Sequence, residues 1–251
     1  MLQVIAEIGL NHNGSERRAW DLFTRVVDSQ VDGITFQVRE KEFYDESHPR
    51  KIELSDAFYK KAINFAKKRK VAFGVALANQ ERISFFQSLG ISFWKTLSWD
   101  LGNNALQTAL QKTNNKVYIS TGLSDLDEIV AASKQYQNVE FIHTQLNYDL
   151  EGVNLKALTT IQEDTGKSVA FGLHNDEHAV LFSAVGFAPD SVFFYVKDDT
   201  DGEHPDDAHA ISVSDLPDLV DRLKRLSLCV GDGCKQVQEN TLHPEDDLIC
   251  Q

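Results

Sequence analysis

The sequence predicts a single-domain α/β fold, a (β/α)8 TIM barrel, and three observations carry that prediction. Eight short apolar segments recur along the 251-residue chain, and amphipathic stretches of helical period separate them. Each βα unit has the roughly 30 residues that a parallel crossover needs. An open doubly wound sheet is the competing class, and the strand count argues against it.

The first strand, 3–8, carries Glu7 behind Val4, Ile5 and Ala6, and it runs into the stretch AEIGLNHNG. A lone carboxylate at the end of an apolar strand is costly to desolvate, so Glu7 needs a partner or a role. A helix is expected over 15–30, where Trp20, Phe23, Val27 and Val31 recur at three- and four-residue steps. Segments 33–37, 71–75, 92–95, 116–120 and 139–143 read as the next five strands. Ahead of the second of these, the basic run KKAINFAKKRK, 60–70, has helical spacing and reads as a solvated helix face. Over 124–136 a helix is expected with Ser124 as N-cap and acids in its first turn. Strands 168–172 and 191–195 complete the set, and 212–226 is the closing helix. The domain is placed at 1–226, and the polar, Gly-rich remainder, 227–251, reads as a tail.

Apolar residues make up 42% and charged residues 25%, the balance of a folded globular chain. The formal net charge of −13 repels phosphate backbones and anionic lipid, so neither nucleic acid nor membrane is expected as a partner. Three cysteines make no disulfide framework in a chain of this size. With no signal pattern and no bilayer-length apolar run, the expected location is the cytoplasm.

A barrel of this kind gathers its chemistry at the carboxyl ends of the strands. In order, those ends offer Glu7 with Asn11, His12 and Asn13, then Gln37, Lys95 with Ser98, Ser120 with Thr121, His143, His174 and Lys197. The run IAEIGLNHNGS at 5–15, the pair Phe36-Gln37, WKTLS at 94–98, ISTGLSDLDEI at 119–129, VNLKAL at 153–158 and FGLHND at 171–176 follow one another in a telling order. In that order they resemble the barrel of N-acetylneuraminate (sialic acid) synthases. The first and fourth of these are the specific motifs; the others are short.

The resemblance implies condensation of phosphoenolpyruvate with an N-acylated amino sugar or related aldehyde, with a divalent ion in the barrel. It implies that Lys95, Ser98, Ser120 and Thr121 hold the donor's carboxylate and phosphate, which need countercharge and several hydrogen-bond donors. It also implies that Glu7, Asn11, Gln37, Asp100 and Tyr148 meet the sugar. Pairing of Lys95 with Glu7 is the structural alternative.

The sequence departs from the family in three places. Thr35 stands where the family has a donor-binding lysine, and Arg39, on the same side of the strand as Gln37, is the expected substitute. The family's metal motifs, Ser-Asp-His after strand seven and Glu-x-His at strand eight, read Leu173-His174-Asn175-Asp176 and Phe194-Tyr195-Val196-Lys197. No ion is therefore expected at the family position. Lys197 is expected to supply positive charge in its place as a catalytic group with Glu7 and Lys95. If a manganese or magnesium site survives in shifted form, His174 and His209 are its ligands; His178 and His204 read as hydrogen-bonded surface residues. Finally, the chain stops before the antifreeze-like domain of the family, so a second subunit or another chain is expected to close the mouth.

The leading expectation is a synthase-like enzyme. A non-catalytic barrel that binds a sugar or acidic metabolite, and a metal-free aldolase using Lys95 as a Schiff base, stand beside it.

Overall fold

Eight parallel strands run in sequence order around a closed barrel: β1 (Gln3–Gly9), β2 (Gly33–Val38), β3 (Ala72–Leu77), β4 (Phe93–Thr96), β5 (Lys116–Ser120), β6 (Val139–His143), β7 (Ser168–Leu173) and β8 (Ser191–Lys197). β8 closes on β1 in the register Gln3 to Ser191 through Glu7 to Tyr195. The structure, a computed structural model, describes residues 1–46, 52–200 and 203–235. All eight expected strands are present. The sequence did not indicate β9 (Ile211–Ser212), a short strand that pairs with the end of β8 beyond the barrel wall.

The helices are α1 (Glu16–Asp28), α2 (Lys41–Glu46), α3 (Asp56–Arg69), α4 (Ile83–Ser88), α5 (Asn104–Gln111), α6 (Leu126–Gln135), α7 (Ala157–Thr165), α8 (Val180–Val185) and α9 (Leu216–Ser227). In α1, Ser15 caps by accepting from the Arg18 amide, and Leu22, Phe23, Val26 and Val27 face the barrel. Trp20 is half-buried and Val31 lies past the helix end, so the buried stripe differs from the one its spacing suggested. The N-cap of α6 is Asp125, not Ser124: Asp125 and Glu128 form a reciprocal capping box, which satisfies two amides where a serine would satisfy one. In α3 the lysines face out while Phe58, Tyr59, Ala62 and Ile63 pack inward.

Helix α9 continues to Ser227, so the expected boundary at 226 falls inside a helix. Cys229 and Cys234 are free and exposed. The rest of the expected tail, 236–251 with Cys250, lies outside the described residues. Among the described residues, no helix is long and apolar enough to cross a membrane.

Strand alternation sorts the side chains into two layers. Ile8, Phe36, Trp94, Phe141 and Phe194 lie between barrel and helices. Ile5, Phe93, Tyr118, Ile142, Ala170 and Phe193 fill the barrel interior. Phe93 takes space that β3 gives up: a Cβ on Gly74 would sit 2.1 Å from the Phe93 ring. This apolar plug separates two ionic layers. Lys116 and Glu140 pair at the amino-terminal ends of the strands, and Glu7 and Lys95 pair toward the carboxyl ends.

Candidate functional site

Glu7 points into the barrel from β1, level with Thr35 on one side and Tyr195 on the other. Lys95 reaches it from β4, with Nζ donating to Oε2 at 2.5 Å, and both side chains are almost wholly buried. Thr35 adds a longer contact to the same oxygen at 3.4 Å. The Lys95 ammonium also lies 5.7 Å from the Phe193 ring centre and 5.6 Å from that of Tyr195. Two charges removed from water this completely need each other, and removing one leaves the other uncompensated.

The neighbouring strand ends supply hydroxyls. Ser98 and Ser120 share a hydrogen bond, Oγ to Oγ, at 2.8 Å. Beside them the Thr144 hydroxyl is buried without a partner. Gly122 keeps this wall open, since a Cβ there would lie 2.9 Å from Ser98 Oγ and 3.0 Å from the Thr144 methyl.

The opposite wall is aromatic and titratable. Gly9, at φ +56°, lets Tyr195 and Asp206 approach β1: a Cβ there would meet the Tyr195 ring at 2.7 Å and Asp206 Oδ2 at 3.1 Å. Burial, with the charge of Glu7, pushes the Asp206 carboxyl up to about 7. The His174 ring meets the Tyr195 ring edge-on at 5.4 Å and stacks on His209 at 4.6 Å. His209 in turn touches Tyr195 at 5.1 Å, and its Nδ1 lies 3.2 Å from the Tyr148 hydroxyl. Its other nitrogen, Nε2, is buried without a partner. Burial, helped by Lys95 and the neighbouring histidine, lowers His174 to about 3; burial and Lys95 lower His209 to about 4. Both rings are neutral at pH 7.

Several expected site residues are engaged elsewhere. Asn11 is fully buried and spends both side-chain atoms on the backbone, donating to the Val196 carbonyl at 2.8 Å and accepting from the Asp206 amide at 3.0 Å. With Asn13 bonded to the Glu203 carbonyl, the two asparagines clamp the segment after β8; His12 between them accepts from the Gly14 amide through Nδ1, and its Nε2 is buried without a partner among the described residues. Arg39 leaves the barrel interior, pairing with Glu40 at 2.9 Å and lying over the rings of Phe43 and Trp99. Thr121 donates its hydroxyl to the Ile142 carbonyl at 3.0 Å. Lys197 turns to Asp207, with contacts of 2.8 Å to Oδ1 and 3.1 Å to the carbonyl. His143 faces the helices and bonds the Val153 carbonyl at 2.9 Å.

Asp100 is buried, with Oδ1 bonded to Asn103 and Oδ2 unpartnered, and burial raises its carboxyl. Gln37 follows Thr35 on the inner face of β2 and is buried. His204 is tied to the Asn11 carbonyl and Arg18.

The residues also bear on the divalent ion that the resemblance implies. Among the described residues, no three His, Cys, Asp or Glu side chains form a group fit to hold a metal. At strand eight, Val196 is buried and has no lone pair, and Lys197 is a cation. His174 and His209 stack with their ring planes 29° apart, so their in-plane lone pairs do not converge on one point. The donor set does not fit the ion.

Sequence reasoning missed Asp206, Tyr195 and Thr144. Tyr195 was within reach, since it shares the inward phase of Phe193. Asp206 sits in the run HPDDAH, which reads as solvated, and only the hydrogen bond from its amide to Asn11 draws it inward.

The NeuB family model matches residues 23–235. The N,N'-diacetyllegionaminic acid synthase of Campylobacter jejuni is 26% identical across 94% of this chain and 80% of its own length. Human N-acetylneuraminate-9-phosphate synthase is 22% identical across 93% of this chain and 72% of its own. In structure, the N-acetylneuraminic acid synthetase of Leptospira borgpetersenii, solved with citrate, superposes with a TM-score of 0.88 at 20% identity, over 99% of this chain and 90% of that one.

Proposed function

The chain belongs to the NeuB family, and on that premise we propose that it condenses phosphoenolpyruvate, or a similar enol donor, with an N-acylated amino sugar or related aldehyde. The observation that carries the proposal is the sealed Glu7–Lys95 pair, with the Ser98 and Ser120 hydroxyls on the adjoining strand ends. Lys95 supplies countercharge to the donor's carboxylate or phosphate, and the two serines supply hydrogen bonds that need no reorganisation. Carbon 3 of the donor attacks the open-chain aldehyde. Water then adds at carbon 2, and phosphate leaves by carbon–oxygen cleavage. Asp206, pushed up to about 7, is placed in the proton-transfer range for the aldehyde oxygen, which becomes a hydroxyl. Glu7 orients Lys95 and meets the sugar with Gln37, Asp100 and Tyr148.

An apolar rim supports closure of the mouth by a second subunit or another chain. Trp99, Leu123, Leu146, Tyr148 and Leu150 are exposed on the loops that follow β4, β5 and β6.

One observation favours a second reading, a barrel that binds a sugar or acidic metabolite without turnover. Thr35 replaces a lysine, and Arg39 and Lys197 are paired outside the interior, so Lys95 alone faces the anion among the cations named for it. The Schiff-base reading is the weakest, because an ammonium held at 2.5 Å by a carboxylate has no lone pair to attack a carbonyl.

The test is to incubate the protein with phosphoenolpyruvate and N-acetylmannosamine, following phosphate release and the mass of the product. A nine-carbon sugar acid formed with equimolar phosphate supports the synthase. Sugar binding with no phosphate released supports the second reading and overturns the first.

A further inference from the structure

The stacked histidines at the mouth stand where the family resemblance implies a divalent ion, and their geometry suits a different task. An ion held by two imidazoles needs both lone pairs aimed at one point about 2.1 Å from each nitrogen. Here the rings lie face to face, 4.6 Å apart and 29° from parallel. The Nδ1 of His209 is already taken by the Tyr148 hydroxyl at 3.2 Å.

That contact fixes more than position. The direction of that bond depends on the His209 tautomer, and a phenol donates a hydrogen bond more readily than its oxygen accepts one, which favours Tyr148 as the donor to Nδ1. In a neutral imidazole whose Nδ1 accepts, the proton resides on Nε2. This Nε2 is buried and has no partner among the described residues. An orphaned buried donor costs free energy unless something completes it. It belongs to a ring packed against Tyr195 and His174, the same wall that faces the Lys95 ammonium.

We propose that His209, locked by Tyr148 and stacked on His174, presents a neutral Nε2–H donor to an oxygen of the bound ligand, in the place of a metal ion. The ligand class is one with an acceptor oxygen beside the group held by Lys95: a carboxylate, a phosphate or an aldehyde carbonyl. Tyr148 acts through His209 as a positioning residue. The identification of the ligand as an enol donor rests on the function proposed above; the donor and its tautomer do not.

The experiment uses the full chain labelled with 15N-histidine. Long-range 1H–15N spectra are expected to show His209 protonated on Nε2 and bare on Nδ1, and Tyr148→Phe to shift it toward a mixture of tautomers. One equivalent of Mn2+ is expected to leave the His174 and His209 signals sharp. Phosphoenolpyruvate is expected to shift the His209 Nε2 signal, and His209→Leu to bind it about five- to tenfold more weakly, the worth of one hydrogen bond. The assignment is overturned if His209 is protonated on Nδ1, if Mn2+ saturably broadens both histidines, or if His209→Leu binds phosphoenolpyruvate as tightly as the wild type. If the wild type does not bind phosphoenolpyruvate at all, the proposed function falls, while the tautomer and Mn2+ results still decide this assignment.

Discussion

Two lysine–carboxylate pairs lie inside the barrel at opposite ends, and they differ in what surrounds them. At the amino-terminal end, Glu140 is fully buried, but its partner Lys116 keeps 39% of its side chain exposed, so the cation stays hydrated. Its neighbours are few: the Tyr118 hydroxyl, which lies 3.4 Å from Ser191, and the Tyr118 ring beneath the ammonium. At the carboxyl end, Glu7 and Lys95 are 3% and 5% exposed, and a buried carboxyl, two neutral imidazoles and two hydroxyls gather around them. The same chemistry thus ends the apolar plug at one end of the barrel and gathers polar groups above it at the other. What separates them is hydration of the cation: the Lys116 ammonium reaches solvent, although Glu140 Oε1 is buried without a partner among the described residues, whereas both members of the upper pair are sealed from water.

The largest expected effect follows from breaking the sealed pair. Lys95→Met leaves Glu7 uncompensated and is expected to cost about 3–5 kcal/mol of stability, measured by urea unfolding monitored by circular dichroism. Lys116→Met strands Glu140, whose carboxyl burial already pushes up toward the neutral form, and is expected to cost less, on the order of 1–2 kcal/mol, because Glu140 can shed its charge by taking up a proton. Equal losses in the two variants would erase the distinction between the two ends.

The next effect lies in pH. Burial first, and the charge of Glu7 second, raise Asp206 from 3.8 to about 7. Between about pH 4 and 7 the unfolded chain gives up this proton while the folded protein keeps it, so this group's contribution to stability falls as pH rises. Asp206→Asn removes that loss. Its Tm relative to the wild type is expected to climb from pH 4 to pH 8; a constant difference would mean that Asp206 does not titrate there. The lowered pKa values of His12, His174 and His209 act in the opposite sense, since the unfolded chain binds protons that the folded one does not. Both proteins share that trend, so the comparison isolates the carboxyl.

The smallest effect tests the boundary of the proposed site. The Thr121 hydroxyl bonds the Ile142 carbonyl. Thr121→Val is therefore expected to cost about 1 kcal/mol of stability and to leave the affinity for phosphoenolpyruvate unchanged by calorimetry. A large loss of affinity would bring Thr121 into the site.

The barrel was legible because its signal is periodic. Alternation within each strand and the regular interval between strands survive shifts of a residue at either end, and they put Glu7, Lys95 and Ser120 on inward-facing positions of their strands. The loops carry no such period. Asn11, after β1, and Lys197, at the end of β8, have the residue types of a site, yet their partners Asp206 and Asp207 lie on a loop whose path only the folded chain reveals. Arg39 follows the last residue of β2, where alternation no longer governs direction, and Phe43 and Trp99 draw it outward. Asp206 was hidden for the same reason: in sequence it is one acid of an acidic loop, and its burial comes from the clamp that Asn11 provides.

The central claim is that the upper ion pair binds an anionic donor and the lower one does not. It is tested most directly by titrating phosphoenolpyruvate calorimetrically into the wild type, Lys95→Met and Lys116→Met, at a temperature where all three retain their circular dichroism. The account predicts an affinity lost by about a hundredfold or more in Lys95→Met, the loss of a buried charge-assisted contact, and unchanged in Lys116→Met. Unchanged affinity in Lys95→Met, or an equal loss in both variants, would contradict it.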